Sequence, residues 1–139
     1  MPTQSATKYS INQNIYFKLL DVIPDLISIE EHGKSVVPNY MDLNLDILHR
    51  TPEQIIIALS HYYKHPSGDM IADPDMEIAV FPKQEYAEAL AYQDTYTYQT
   101  VRLESGQVNA GLRRTLNSFL SQWLTNLIEQ GHQINEKIS

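Results

Sequence analysis

The sequence predicts an α+β fold: an antiparallel sheet of four to five strands, with an N-terminal helix and a long C-terminal helix packed mainly on one face. Apolar residues recur at three- and four-residue intervals near both ends of the chain, as in helices buried on one side. Between these ends, short apolar segments with strand patterns are separated by Gly, Pro and Asp residues. A chain of 139 residues supports one core. We therefore expect a flexible tail over residues 1–10 and a single domain over residues 11–139.

The first helix is expected to begin at Asn12 or Asn14, either of which suits an N-cap, and to end before Pro24. Its apolar positions form one stripe: Ile15, Tyr16, Leu19, Leu20 and Ile23. Residues 26–30 fit a short strand or an extended connector. Residues 32–35, His-Gly-Lys-Ser, have the composition of a turn.

Four segments in the middle of the chain have strand patterns. Residues 41–47 alternate apolar and polar side chains, as in a strand with one buried and one wet face. Residues 54–60 are apolar at both parities, which is typical of a central strand covered on both faces. Residues 76–81 and 92–102 complete the predicted sheet, and residues 84–91 are ambiguous.

The C-terminal helix has the strongest pattern in the chain. Asn109 is placed to cap its start, and Gly131 to end it in the left-handed conformation. Its apolar positions follow the helical period over about four turns: Leu112, Leu116, Phe119, Leu120, Trp123, Leu124 and Leu127. Because so wide a stripe needs a large apolar partner, we expect it to pack on the sheet with Trp123 in the core.

The composition excludes several classes of function. The formal net charge of −7 opposes direct binding of DNA or RNA, because that affinity depends largely on Lys and Arg at phosphates. The absence of cysteine excludes disulfides and thiolate chemistry. The first residues lack the apolar core of a signal peptide, and no apolar run of about 18 residues occurs. We therefore predict a cytoplasmic location and no membrane partner.

The candidate binding site lies between His61 and Met76, a segment that we expect to form the bend between two strands. It concentrates chemically active side chains: His61, Tyr63, Asp69, Asp73 and Asp75. His61 and His65 have the spacing of a zinc pair on a helix, but a strand would hold them roughly 13 Å apart. The three aspartates fit a Ca²⁺ or Mg²⁺ site, and they equally fit turns. No metal or cofactor signature is complete, so no cofactor is predicted and metal binding is left open.

A second candidate surface is formed by tyrosines. Tyr92, Tyr96 and Tyr98 share one parity of the last predicted strand and would form a stripe. Tyrosine is enriched at protein interfaces, so an exposed stripe suits a protein partner or self-association. The alternative is that these rings line the boundary between helix and sheet.

These motifs resemble those of a small family of bacterial domains of unknown function, whose members are often carried on plasmids and integrative elements. The resemblance covers roughly residues 54–132. It lies in Leu59-Ser60-His61-Tyr62-Tyr63, Gly68-Asp69-Met70, Asp73-Pro74-Asp75-Met76, Tyr92-Gln93-Asp94, and Phe119, Trp123, Asn126, Leu127, Gln130 and Gly131. The last helix is more distantly similar to that of YqiB-like proteins. The resemblance implies a stand-alone bacterial domain and brings no established activity.

The function that we predict is that of a non-enzymatic cytoplasmic accessory protein. It would bind another protein, or form a homo-oligomer, through the tyrosine stripe and the acidic segment. Mimicry of nucleic acid toward a DNA-binding enzyme is one version of this prediction. The alternative is a metal-dependent hydrolase or a small-ligand-binding protein that uses His61, Asp69, Asp73 and Asp75.

Overall fold

A computed structural model describes residues 9–136 and shows an α+β fold with one six-stranded antiparallel sheet, two α-helices and a short 3-10 helix at Pro82–Gln84. The helices are α1 (Ile11–Val22) and α2 (Ala110–Gln130). The strands are β1 (His32–Ser35), β2 (Leu43–Arg50), β3 (Ile55–Lys64), β4 (Met70–Phe81), β5 (Tyr86–Gln93) and β6 (Tyr98–Thr100), and they lie in the sheet in chain order. The predicted fold class is confirmed, and the count of four to five strands is corrected to six.

The helix ends follow from local hydrogen bonds. The hydroxyl of Ser10 accepts from the backbone N–H of Gln13, and the Gln13 side chain accepts from the backbone of Ser10. This reciprocal capping makes Ser10 the N-cap and Ile11 the first residue of α1, so the predicted Asn caps are wrong. Asn109 caps α2 as predicted, and Gly131 ends it with φ +91°.

Two segments near the N-terminus were assigned wrongly. Residues 32–35, predicted as a turn, form β1, because pairing with β2 supplies the hydrogen bonds that an edge strand needs regardless of its polarity. Within residues 26–30, predicted as a strand or connector, residues 26–28 instead form turns, and Ser28 and Ile29 donate backbone hydrogen bonds to the carbonyl of Asp25.

The segment from His61 to Met76 is mostly strand, not a bend. β3 continues to Lys64 and β4 begins at Met70, so the turn itself covers only His65–Asp69. Gly68 adopts φ +99° there, a conformation that glycine tolerates without steric cost. Backbone pairing between β3 and β4 continues beyond the apolar residues at the centre of the two strands. The composition of the segment alone does not predict this extension.

The predicted strand over residues 92–102 is also divided differently. The ambiguous residues 84–91 supply most of β5, and the chain reverses after Gln93. The carboxylate of Asp94 accepts from the backbone N–H groups of Tyr96 and Thr97 and thereby fixes the turn. A three-residue strand, β6, then returns along β5.

The strand register divides the sheet into two faces. Ile57, Ile78 and Ala89 lie directly opposite one another across three strands and are buried. They belong to one apolar core with buried residues of both helices, so we call this side the helix face. The side chains at alternate positions form the open face, which neither helix covers because both are packed on the helix face.

Buried polar contacts fix the helices on β5. The amide oxygen of Asn117 in α2 accepts from the backbone N–H of Ala89 at 2.8 Å. Asn12 of α1 donates from its side chain to the carbonyl oxygen of Ala87 at 2.9 Å. Such bonds satisfy buried backbone groups and set the position of each helix along the strand.

The segment after α2 crosses back to β1. The backbone N–H of Ile134 donates to the carbonyl of Val22, and the N–H of Gln133 donates to the hydroxyl of Ser35. Ile134 is fully buried, and its Cγ2 atom lies where a Cβ atom on Gly33 would be only 2.5 Å away. Gly33 is therefore required by the close approach of the two segments.

Replacement of Gly33 by alanine should destabilise the fold by about 1–3 kcal/mol, because the added methyl must displace a buried isoleucine. Urea unfolding measures this free energy. Gly111→Ala is the matched control, since its nearest neighbour would be 3.7 Å away in an exposed helical turn. Equal stability of Gly33→Ala and wild type would contradict the close approach.

Replacement of Trp123 by alanine should cost about 3–5 kcal/mol, because its ring is only 7% exposed and contacts His61 and Phe119. Thermal unfolding followed by circular dichroism is a suitable measurement. Phe119→Ala removes a ring that is 39% exposed and should lose clearly less stability. A Trp123→Ala melting temperature within about a degree of wild type would show that Trp123 is not a core residue.

Candidate functional site

The predicted site residues do not meet in one place. His61 lies on the helix face and is buried, with its Nδ1 atom 2.8 Å from the carbonyl oxygen of Asp42. Its ring contacts Trp123 edge-on, with centroids 5.5 Å apart. The histidine therefore belongs to the interior beneath α2, where strand parity places it with Leu59.

The other predicted residues scatter along the hairpin. The Tyr63 hydroxyl lies 3.3 Å from the hydroxyl of Thr95. Asp69 is exposed in the turn and accepts from the Ser67 hydroxyl, and Asp73 is exposed immediately before a cis proline. Within residues 9–136, no three His, Asp or Glu side chains are grouped as metal ligands. Ligand binding by the predicted set stays a prediction without a shared geometry.

Asp75 has a defined partner on the open face. The Tyr62 hydroxyl donates to its Oδ2 atom at 2.5 Å. Burial raises the pKa of Tyr62 to about 12, and the hydrogen bond to Asp75 and the charges of Asp75 and Asp46 act in the same direction. Tyr62 thus remains a neutral hydrogen-bond donor beside two carboxylates.

The predicted tyrosine stripe is divided among three places. Tyr92 lies on the helix face, where its ring contacts Phe119 and its hydroxyl donates to Asp94. Tyr96 is 94% exposed in the turn after β5, and Tyr98 is on the open face. Because the chain reverses between these residues, their shared sequence parity does not give a shared face. Their role as an interface stays a prediction.

Two rows of side chains cross the open face, with one residue from each strand. The first row is mostly polar and consists of Lys34, Asn44, Ser60, Asp75, Gln93 and Tyr98. The second consists of His32, Asp46, Ala58, Glu77, Ala91 and Thr100. Ala58, Ser60 and Ala91 are buried at the centre. Because these three residues are small and have larger neighbours in their rows, the middle of the open face is recessed. A ligand can therefore lie against the sheet there.

The β1 end of these rows opens into a cleft of about 1520 Å³. Its floor includes Asn44, Ser60 and Tyr62, and its walls are residues 28–34 and the segment after α2. We call this the acidic cleft, because four exposed carboxylates line it: Glu30, Glu31, Asp46 and Glu136.

One wall of the acidic cleft is held by Arg50. Its guanidinium donates to three backbone carbonyl oxygens, those of Leu26, Ile27 and Ile29. A guanidinium presents several donors in a fixed plane and so can fix one side of a turn. Arg50 therefore orients the chain that leads into Glu30 and Glu31.

The opposite wall is held by a buried imidazole pair. His132 lies with its Nδ1 atom 2.9 Å from the Ser35 hydroxyl, and its ring centroid is 5.8 Å from that of His61. Burial lowers the pKa of His132, and the nearby His61 lowers it further, against weaker opposing effects of the Met41 backbone and Asp42. The pair anchors the start of the segment that carries Glu136.

Sequence reasoning missed the acidic cleft, although part of its signal was visible. The alternation in residues 41–47 correctly predicts that Asn44 and Asp46 face away from the core. Nothing in the sequence around Glu30-Glu31 indicates which residues lie near this pair in the folded chain. Glu136 is about a hundred positions from both. It is brought there by the packing of residues 132–134 on β1 and by the bond from its backbone N–H to the carboxylate of Asp25.

Comparison with known families identifies one match. The profile of a domain of unknown function, DUF6908, matches residues 14–133. The chain belongs to the DUF6908 family. This confirms the predicted membership in a family of unknown function, and the match extends further toward the N-terminus of the domain than the predicted residues 54–132.

The remaining comparisons give no relative for this DUF6908 domain. Neither a curated protein nor a solved structure is significantly similar to it.

No helix in the described part of the DUF6908 domain is both long and apolar enough to cross a membrane.

The stability of the domain should fall in mild acid. Because burial lowers the pKa of His132 below the ordinary value of 6.5, the unfolded chain binds a proton more readily than the native one. The free energy of unfolding should therefore decrease as the pH falls through 6.5. Urea unfolding at pH about 7.5 and about 5.5 measures the difference.

His132→Gln should reduce this difference between the two pH values, whereas His65→Gln, which changes an exposed histidine in the β3–β4 turn, should not. If the His132→Gln variant kept the full wild-type difference, His132 would not be the responsible group.

Proposed function

We propose that this DUF6908 domain is a non-enzymatic protein-interaction module of the bacterial cytoplasm, and that the acidic cleft binds a Lys- and Arg-rich segment of another protein. The observation that carries the proposal is the group of four carboxylates lining one large cleft. Origin from a mobile element belongs to the same proposal and rests on the sequence resemblance.

The charges of the cleft support a cationic partner. Within residues 9–136, the only ion pairs within 4.0 Å are Lys34–Asp42 and Arg113–Glu88. Glu30, Glu31, Asp46 and Glu136 therefore have no basic partner among these residues. Among residues 9–136, Lys34 is the only Lys or Arg that lines the cleft, and it is paired with Asp42. Uncompensated charge of one sign speeds the approach of an oppositely charged partner and selects for it.

The size of the cleft supports a polypeptide. Sites for small ligands typically enclose about 300–1,000 Å³ and are mostly apolar. The acidic cleft is larger, at about 1520 Å³, and its floor offers the Asn44 amide and the Tyr62 hydroxyl oxygen, which can accept while its hydrogen is donated to Asp75. These groups suit the hydrogen bonds of an extended peptide, with its basic side chains directed at the carboxylates of the walls.

The alternative function has less support from the geometry. A hydrolase or small-ligand site at His61, Asp69, Asp73 and Asp75 requires these side chains to converge. His61 is buried on the helix face, whereas Asp75 is on the open face and Asp69 is at the hairpin turn.

Fluorescence anisotropy with labelled octalysine tests the proposed function, with labelled octaglutamate as the probe of opposite charge. Octalysine should bind and octaglutamate should not. The double substitution Glu31→Gln and Asp46→Asn should weaken octalysine binding by about tenfold, because it removes two cleft charges. Added salt should weaken binding of the wild type as well.

A matched double substitution, Glu53→Gln and Glu104→Gln, removes the same charge from exposed loops outside the cleft. It should retain nearly wild-type affinity. Equal losses in the two double variants would mean that octalysine responds only to net charge, and the assignment of the cleft would then be wrong.

A further inference from the structure

A second, smaller cavity lies at the opposite end of the open face. β6 pairs with Ala91–Gln93, and the N–H of Val101 donates to the carbonyl of Leu90. Within residues 9–136, no strand lies beyond the earlier part of β5. This leaves a notch between β5, β6, the segment that follows β6 and the first turns of α2. The volume of the notch is about 230 Å³, which suits a ligand of few atoms.

The notch carries both signs of charge. Glu77 and Glu88 line it from the sheet, and Arg102 and Arg113 line it from the segment after β6 and from α2. A phosphate would meet the two carboxylates, and a simple cation would meet the two guanidinium groups. A ligand with one positive and one negative end can pair with both.

Arg113 has unused capacity to donate hydrogen bonds. Its Nε atom is buried and has no hydrogen-bond partner in residues 9–136, and the nearest carboxylate oxygen, Oε1 of Glu88, is 4.0 Å away. That distance is too long for a hydrogen bond. The Arg113 side chain as a whole is 42% exposed and lines the notch, so a ligand there can contact it. A ligand carboxylate is the group that best matches a guanidinium.

The rest of the lining is apolar or uncharged. Leu90, Val101 and Val108 contribute aliphatic surface, and Ala91 leaves space because its side chain is small. An aliphatic group of the ligand can bury its surface there, which is favourable. The charges and the aliphatic surface together define a small zwitterion with an apolar side chain.

We propose that this notch binds a free α-amino acid with an aliphatic side chain. Its carboxylate pairs with Arg113, its ammonium group pairs with Glu77, and its side chain contacts Leu90 and Val101. This site is separate from the acidic cleft and does not depend on the proposed peptide binding.

NMR titration of the ¹⁵N-labelled protein with three probes tests the proposal. L-leucine carries both charges, 4-methylpentanoate lacks the ammonium group, and 3-methylbutylamine lacks the carboxylate. L-leucine should shift the amide signals of Ala91, Thr100 and Val101 with a Kd of the order of 1 mM, as expected for a ligand of so few atoms. Each analogue with a single charge should bind at least about tenfold more weakly.

Substitutions then assign the charged partners. Arg113→Gln and Glu77→Gln should each weaken L-leucine binding by about tenfold or more. Arg114→Gln is the matched control, since Arg114 is exposed, adjacent in sequence and outside the notch. Amide spectra that are otherwise unchanged show that each variant is folded. The proposal is wrong if L-leucine causes no shifts, if the analogues bind equally well, or if Arg114→Gln loses as much affinity as Arg113→Gln.

Discussion

The burial of one face of the sheet beneath two helices is the constraint on which the rest of this structure depends. Strand side chains alternate between faces, so a register shift of one residue would move Ile57 and Leu59 out of the core. The apolar core thus fixes the register of the central strands. The same register aligns the polar rows of the open face, although those residues contribute little to the core. Apolar packing on the helix face therefore determines which polar side chains lie side by side on the open face.

The segment after α2 extends this constraint to the edge of the sheet. Ile134 is buried against Gly33, while His132 and Gln133 bond to Ser35. These contacts hold the short, polar strand β1 in place and put the end of the segment beside it. The acidic cleft depends on these contacts, because β1 and the residues before it form one wall and the segment after α2 forms the other. The packing of residues 132–134 and the geometry of the cleft are thus linked.

The predicted site residues show where reasoning from sequence succeeds and where it stops. The motif from His61 to Asp75 was recognised as the segment richest in functional groups, and Asp75 does lie on the open face with Tyr62. The prediction that the whole segment forms one bend was wrong, because backbone pairing makes most of it part of β3 and β4. Successive side chains of these strands point to opposite faces of the sheet. His61 follows the parity of Leu59 into the core, whereas Asp75 is paired directly with Ser60 on the open face.

The sequence by itself determined the fold class, the N-cap and the C-terminal end of α2, and the buried position of Trp123, because these follow from periodicity and local hydrogen bonds. It also determined the acidic charge. Only the tertiary structure decided that residues 32–35 form a strand, that the tyrosines separate, and which carboxylates share a cleft. The physical reason is the range of the interactions: helix periods and caps act within a few residues, whereas Glu30, Asp46 and Glu136 meet through contacts between residues distant in the chain.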